Sequence, residues 1–294
     1  MLVYLNDKII PAAEAKISIF DHGFLYGDGI YETLRVYDGV VFLLDEHLER
    51  LYRSAMLIGL DIPKDVAGIK SAIYDTLQAN KLRNAYVRLT VSRGEGEIGL
   101  DPALCRKPTF IVVTKELAEY PRAYYEEGVR IIIPVVKRNC REALNPQIKS
   151  LNFLNNILAK IEAKKADAYE AVMTNVAGHL AEGTICNIFF VKDGILCTPS
   201  IECGILDGIT RSLVLDLAFR NDITIKEGEF TPAELYKASE VFITNTTMEV
   251  MPVSRVDDVH YKVGEIAKLL HTKYRQEVNG YVREKKGESP SLWQ

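Results

Sequence analysis

Several absences bound this 294-residue sequence before any motif is read. No stretch reaches the ~18–20 apolar residues of a membrane-spanning helix. The N-terminus, MLVYLNDKII, has no cationic region followed by an apolar one, so a secretory signal is not expected. Basic charge is not in excess: 36 Lys and Arg against 40 Asp and Glu leave a formal net charge of −4, and nucleic acid is not an expected partner. The five cysteines (Cys105, Cys140, Cys186, Cys197, Cys203) are odd in number and form no C-x-x-C pair, which predicts reduced, buried thiols in a cytoplasmic protein. The five histidines show no H-x-x-x-H spacing, so no metal site is expected. There is no internal repeat and no low-complexity segment.

What remains is ordinary for a soluble globular protein, with 48% hydrophobic and 26% charged residues. LVYLNDKII reads as a hairpin turning at Asn6-Asp7, and residues 29–44 as two strands joined at Asp38-Gly39. Helical spacing covers 45–60, with Asp45 as N-cap, and 66–79. Strands are expected at 85–93, 109–114 and 129–136. A helix over 151–164 would bury the stripe Leu151, Leu154, Leu158 and Ile161. Short strands at EAVMT, NIFFV, GILCT and VFITN follow, with helices after Gly208, near 232–237 and near 264–278. The charged tail from Asn279 is expected to be loosely ordered. The class is therefore mixed α/β or α+β. The polar, proline-containing stretch around 115–128 marks a boundary: a small N-terminal domain over 1–118, a linker over 119–130 and a larger C-terminal domain over 131–294.

GEGEIG (94–99) matches the dinucleotide fingerprint G-x-G-x-x-G and follows a strand. That fingerprint needs a helix next, its N-terminus facing the pyrophosphate. The continuation LDPALCRKP has two prolines and no helical period, and Glu95 and Glu97 would repel phosphate. A nicotinamide-dependent oxidoreductase is thus a weak alternative.

Four segments carry better chemistry. Lys149, flanked by Ile148 and Leu151 ahead of the expected helix, sits where an apolar setting and a helix N-terminus would both favour the neutral amine. A Schiff-base lysine needs that. Glu182 precedes Gly183 in LAEGTICNIFF. In GILDGITRSLVLDLA a tight turn opens directly into a helix at Ile209-Thr210-Arg211, whose free amides and hydroxyl suit a phosphate. ITNTTMEVMP ends a strand in two hydroxyl residues, Thr246 and Thr247.

In this order, with FDHGFLYGDGIYETLR (20–35) ahead of them, these segments resemble the class IV pyridoxal-phosphate aminotransferases, from residue 20 to about 253. The resemblance implies fold type IV, with a smaller N-terminal α/β domain and a larger C-terminal pseudo-barrel domain, and pyridoxal 5'-phosphate as cofactor. It makes Lys149 the catalytic lysine that bonds the cofactor, and Glu182 the carboxylate on the pyridine nitrogen. It puts Ile209, Thr210, Thr246 and Arg50 on the phosphate, and Leu206 under the ring. From position alone Arg50 and Arg53 compete for the phosphate. It further implies a homodimer in which loops of both subunits build each site, GEGEIGLDP being a candidate contributor.

Strand alternation places Tyr31, Thr33 and Arg35 on one face, and Tyr86, Arg88 and Thr90 on one face of a second strand. If both faces line one cavity, its wall is aromatic with two guanidinium groups. That suits a small amino acid whose side chain is apolar or acidic, and Tyr31, Arg35, Tyr86, Arg88, Thr246 and Thr247 are the candidate substrate residues. The loop 92–102 is similar to that of archaeal-type branched-chain enzymes, which implies transamination of branched-chain L-amino acids with 2-oxoglutarate. Two features depart from that pattern. Phe153 stands where many branched-chain enzymes have tyrosine, and Tyr31-Glu32-Thr33 is seen more in relatives acting on D-amino acids or aminodeoxychorismate. A D-amino-acid transaminase or 4-amino-4-deoxychorismate lyase is the alternative on the same scaffold, and a non-catalytic binding protein the alternative of another class.

Overall fold

The computed structural model describes residues 1–286, and the chain forms two compact units. The first comprises 1–118, 148–152 and, among the described residues, 278–286; the second comprises 119–147 and 153–277. The domain expected over 131–294 is therefore not continuous. Ile148–Asn152 groups with the first unit because it hydrogen-bonds along a strand edge there, and the expected linker is the start of the second unit.

The first unit contains strands β1 (Leu2–Leu5), β2 (Lys8–Pro11), β3 (Gly29–Tyr37), β4 (Val40–Val41), β5 (Ala85–Ser92) and β6 (Thr109–Glu116), and helices α1 (His22–Tyr26), α2 (Leu44–Leu57) and α3 (Val66–Ala79). The strands form one antiparallel sheet in the order β2-β1-β6-β5-β3-β4. Its hairpins turn at Asn6 (φ 56°) and at Asp38 (φ 48°) with Gly39 (φ 86°), the left-handed backbone that tight hairpins need. Alternation sends Ile30, Leu34, Val87, Leu89, Val91, Phe110 and Val112 into a core with Leu48, Leu51 and Ala55 of α2 and Ile69, Ile73 and Leu77 of α3. Asp45 is not the N-cap of α2. Leu43 holds that position at φ 51°, and Asp45 and Glu46 lie in the first turn, where they complement the helix dipole.

The second unit contains α4 (Arg122–Glu126), β7 (Val129–Ile132), α5 (Leu154–Lys165), β8 (Glu170–Thr174), β9 (Leu180–Gly183), β10 (Asn187–Lys192), β11 (Ile195–Pro199), α6 (Ile209–Arg220), β12 (Ile225–Gly228), α7 (Pro232–Leu235), β13 (Glu240–Asn245), β14 (Glu249–Val256), β15 (Val259–His260) and the part of α8 (Glu265–Lys285) up to Glu277. Its mixed sheet runs β12-β11-β10-β13-β14-β7-β8-β9, with β15 beside β14, and curls as a half-barrel. The strand expected to reach 136 stops at Ile132, two residues before Pro134, which has no amide to donate. α5 begins at Leu154 rather than 151, and the expected buried stripe faces outward: Leu154 is 69% and Leu158 45% exposed. Ala159 and Ala163 instead pack on Ile132, Ala171 and Met173, because small residues let the helix approach the sheet closely. α8 runs through Lys285, so the first part of the tail expected to be loose is helical; residues 287–294 lie outside the described residues. Cys186, Cys197 and Cys203 are buried thiols, while Cys105 and Cys140 are half-buried. No helix among the described residues is long and apolar enough to cross a membrane.

Candidate active site

In the first unit, Lys149 lies in an extended segment against the N-terminal half of β3, on the edge that β4 leaves open. The Tyr31 amide donates to the Lys149 carbonyl (3.0 Å), the Leu151 amide to the Gly29 carbonyl (2.9 Å), and Ile30 and Ser150 form an antiparallel bridge. The Lys149 amide donates to Ser54 Oγ of α2 (3.2 Å). Gly29 makes room: a Cβ there would lie 2.7 Å from Leu151 Cδ1 and 2.7 Å from the Val91 carbonyl oxygen. Lys149 is thus a strand-edge residue five positions before α5, and the helix-terminus argument for its amine does not hold. Its Nζ lies 4.6 Å from the centroid of the Tyr31 ring.

The strand register unites the two expected faces. Tyr31 pairs with Thr90, Thr33 with Arg88 and Arg35 with Tyr86, so all six side chains share one face of the sheet. Arg88 Cζ lies 4.1 Å over the ring of Tyr31, the same ring Lys149 approaches. Arg35 lies farther along, 4.5 Å over Tyr37.

The opposite face, covered by α2, holds a buried ionic cluster. Arg50 donates from Nε and Nη2 to the two oxygens of Glu32 (2.7 Å each), and His47 Nδ1 meets Glu32 Oε2 at 2.8 Å. Burial alone would raise the Glu32 carboxyl, but the charge and hydrogen bonds of Arg50, with those of His47, outweigh it and hold the carboxyl far below the usual range. Burial pushes His47 down despite Glu32, so the imidazole is neutral near pH 7 and serves as a donor. Arg53, the competing arginine, is exposed. Sequence reading missed the cluster's other members, although a buried Glu on the apolar face of a strand signals a cation opposite it.

In the second unit, Glu182 lies on β9 and is 6% exposed. Its Oε1 accepts from Arg138 Nε (2.8 Å), its Oε2 from the Leu206 amide (2.9 Å). Arg138 also donates to Asn155 Oδ1 (3.1 Å). The surrounding motif now has physical causes. Gly183 is glycine because a Cβ would sit 2.2 Å from Cys186 Sγ. Thr184 Oγ1 donates to buried Glu170 (2.7 Å), and Asn187 Nδ2 to the Leu206 carbonyl (3.0 Å). Asn187 Oδ1 lies 2.0 Å from where a Cβ on Gly208 would be, so a side chain there would displace the Asn187 amide. Gly208 is the N-cap of α6, no side chain caps that helix, and Ile209 and Thr210 open its first turn. An uncapped N-terminus with a buried hydroxyl is a ready anion cradle.

The hydroxyl turn lies at the same sheet end, since Asn187 pairs with Thr244 across β10 and β13. Asn245 and Glu249 are register partners, which leaves Thr246, Thr247 and Met248 as a three-residue loop. Asn245 Oδ1 accepts from the amides of Thr247 (2.9 Å) and Met248 (2.8 Å) and from Thr247 Oγ1 (3.1 Å). GEGEIG, by contrast, enters no helix. It forms a loop whose Gly96 bridges Cys105, followed by a short 3₁₀ turn at Pro102–Leu104, so the dinucleotide context is missing.

The chain as a whole is similar to known proteins. The model of the amino-transferase class IV family matches residues 29–256. A putative branched-chain-amino-acid aminotransferase of Methanocaldococcus jannaschii is 45% identical over 278 residues, 94% of this chain and 96% of its own length. An aminodeoxychorismate lyase of Bacillus subtilis is 33% identical over 290 residues, 97% of this chain and 98% of its own. The crystal structure of the branched-chain aminotransferase from the thermophilic archaeon Thermoproteus uzoniensis with norvaline superposes with a TM-score of 0.90 at 32% identity, covering 95% of this chain and 95% of that one. With a family match across more than half its length, the chain belongs to the class IV aminotransferases and has their type IV fold.

Proposed function

We propose that the protein is a pyridoxal-phosphate-dependent transaminase of branched-chain L-amino acids with 2-oxoglutarate as amino acceptor. The observation that carries this reading is the Tyr31 ring, approached by the Lys149 amine and by the Arg88 guanidinium on one sheet face. When bound, pyridoxal phosphate supplies a carbonyl for an amine and an electron-withdrawing ring for a carbanion. Lys149 would bond the cofactor, and its amine would take the proton from the substrate Cα and deliver it to the cofactor carbon that bears the carbonyl. Glu182, oriented by Arg138 and the Leu206 amide, would hold a proton on the ring nitrogen. Leu206 would pack against the ring. The α6 amides of Ile209 and Thr210, the Thr210 hydroxyl, Thr246 and Arg50 would hold the phosphate. Arg50 presents a planar cation whose Nε and Nη2 are already braced by Glu32. The donor set, an amine, a buried paired carboxylate and an uncapped helix N-terminus, fits this cofactor.

The acceptor's second carboxylate needs a cation, while apolar donors need a wall without unpaired charge. Arg88 serves both, resting on the Tyr31 ring with an apolar side chain and pairing with a carboxylate when one is present. Arg35, Tyr86 and Thr247 complete the substrate residues. A second reading, the lyase or a D-amino-acid transaminase, is favoured by Tyr31-Glu32-Thr33, by Phe153, which has no hydroxyl to offer the cofactor, and by the lyase similarity. A panel of L- and D-amino donors with 2-oxo acids, run beside aminodeoxychorismate, separates them. Transfer from L-leucine, L-isoleucine or L-valine to 2-oxoglutarate supports the first reading; D-alanine transfer or pyruvate release without it supports the second.

The same reading includes a cytoplasmic homodimer. The loop after β5 is tied to α1 by His22 Nε2 on the Glu97 carbonyl (2.9 Å) and by the Gly99 amide on Tyr26 OH (3.2 Å), and it presents Ile98 and Leu100 at 75% and 83% exposure. Apolar residues on a braced loop favour a protein partner, here a second copy.

A further inference from the structure

We propose that Glu249, clamped by His271 and Arg275, is a positioning residue that presets the hydroxyl turn Thr246–Met248; this rests on the reading that Thr246 holds the cofactor phosphate. Glu249 has φ 62°, left-handed backbone that a residue with a Cβ rarely adopts. Glu249 is the first residue after the three-residue loop, and glycine is the residue that takes such a backbone without a Cβ penalty. Here the site carries a glutamate whose side chain is 2% exposed and makes contacts a glycine cannot. Glu249 Oε2 meets His271 Nε2 at 3.0 Å and Oε1 accepts from Arg275 Nη1 at 2.6 Å, both from α8. The His271 ring stacks on Tyr125 of α4, with centroids 4.9 Å apart and planes 6° off parallel. Tyr125 OH donates to the Met248 carbonyl at 3.1 Å, and Tyr120 OH pairs with Thr247 Oγ1 at 3.1 Å. The turn is therefore gripped on its backbone, on one hydroxyl and at its strained end by side chains of two helices and the segment before them. Asn245 Oδ1 holds its inner amides. Nothing in the β13–β14 pairing requires this bracing. A turn that must keep Thr246 at a fixed place before and after its anion binds does, because an unbraced turn would have to be ordered at the cost of affinity.

The test uses Glu249→Gly, which suits the left-handed backbone but removes the anchor, beside Thr246→Val. Each full-length variant is followed by amide hydrogen exchange across 244–250, by thermal midpoint, and by release of pyridoxal phosphate on dialysis. The proposal predicts for Glu249→Gly a nearly unchanged midpoint, exchange at Thr247 and Met248 at least ~10-fold faster, and release of cofactor ~10-fold faster. Arg275→Lys, which keeps the charge, should restore part of the loss seen in Arg275→Ala. Unchanged exchange in Glu249→Gly overturns the clamp. Faster exchange with unchanged release, while Thr246→Val does release cofactor, also overturns it. If neither variant releases cofactor faster, Thr246 does not hold the phosphate, and that result removes the reading on which the clamp's role rests.

Discussion

Two side chains carry most of the chemistry proposed for this protein, and they are held in different ways. Lys149 is fixed through its backbone, by β3 on one side and Ser54 on the other, so its amine is placed by strand geometry. Glu182 is fixed through its carboxylate, by Arg138 and the Leu206 amide. Glu182→Gln should therefore fold and retain cofactor but turn over far more slowly, since a neutral amide does not hold the ring proton. Single-turnover rates equal to the parent protein's would reduce Glu182 to a structural strand residue. Arg88→Met tests the substrate assignment. It should impair the 2-oxoglutarate half-reaction much more than the leucine half-reaction, in stopped-flow measurements of each, with about 1.5–3 kcal/mol lost where a charged hydrogen bond is removed. Equal losses in both would mean that Arg88 only packs on Tyr31. Both residues were legible in the sequence, Lys149 from its motif and Arg88 from alternation along a strand. Arg138 was not, because it lies in a segment without helix or strand period and meets its carboxylate across 44 residues.

At the level of elements, the sequence was most readable where one face is apolar and the other is not. The 66–79 period gives α3 with the expected ends, and the β3 and β5 alternation holds residue for residue. It failed where both faces are buried or neither is. β9, which carries Glu182, is four residues long and buried throughout, so it has no alternation to read. α5 shows its leucines outward and its alanines inward, which inverts a reading based on side-chain size. Local cues to α2 also misled, because Leu43 takes a left-handed conformation that no leucine advertises. The Glu32–His47–Arg50 cluster joins β3 to α2 and makes that joint pH-dependent. Glu32 has a folded pKa below its unfolded value near 4.3, so its contribution is present above that value and lost as pH falls below it. His47 is also lowered, so below about pH 6.5 the unfolded chain gains a proton the folded chain does not take, and stability again falls with pH. The thermal midpoint should drop from pH 7 to 5 and more steeply below about 4, and His47→Gln should flatten the upper part. Parallel curves for the two proteins would exclude His47. Removing one partner altogether, as in Arg50→Ala, leaves a buried charge and should cost about 3–5 kcal/mol.

At the scale of the whole molecule, the sequence motifs spread over some 230 residues fall into two sets, one in each unit: Tyr31, Arg35, Arg50, Tyr86, Arg88 and Lys149 in the first, Glu182, Leu206, Ile209, Thr210, Thr246 and Thr247 in the second. The five residues Ile148–Asn152 join the first unit although their neighbours on both sides join the second, a long-range pairing that periodicity does not encode. Exposed apolar residues accompany each set, Ile98 and Leu100 in the first unit, Leu154 and Leu158 in the second. Sedimentation should accordingly give a dimer, and Ile98→Asp with Leu100→Asp should shift it toward monomer; a fully active monomer would contradict the assembly. The central claim is that Lys149 is the amine that bonds pyridoxal phosphate. Borohydride reduction of the cofactor-loaded protein, followed by mass mapping of its peptides, tests it most directly. The account predicts loss of the near-visible absorbance band and one phosphopyridoxyl label, on Lys149; a label on another lysine, or a band that survives reduction unlabelled, would contradict it.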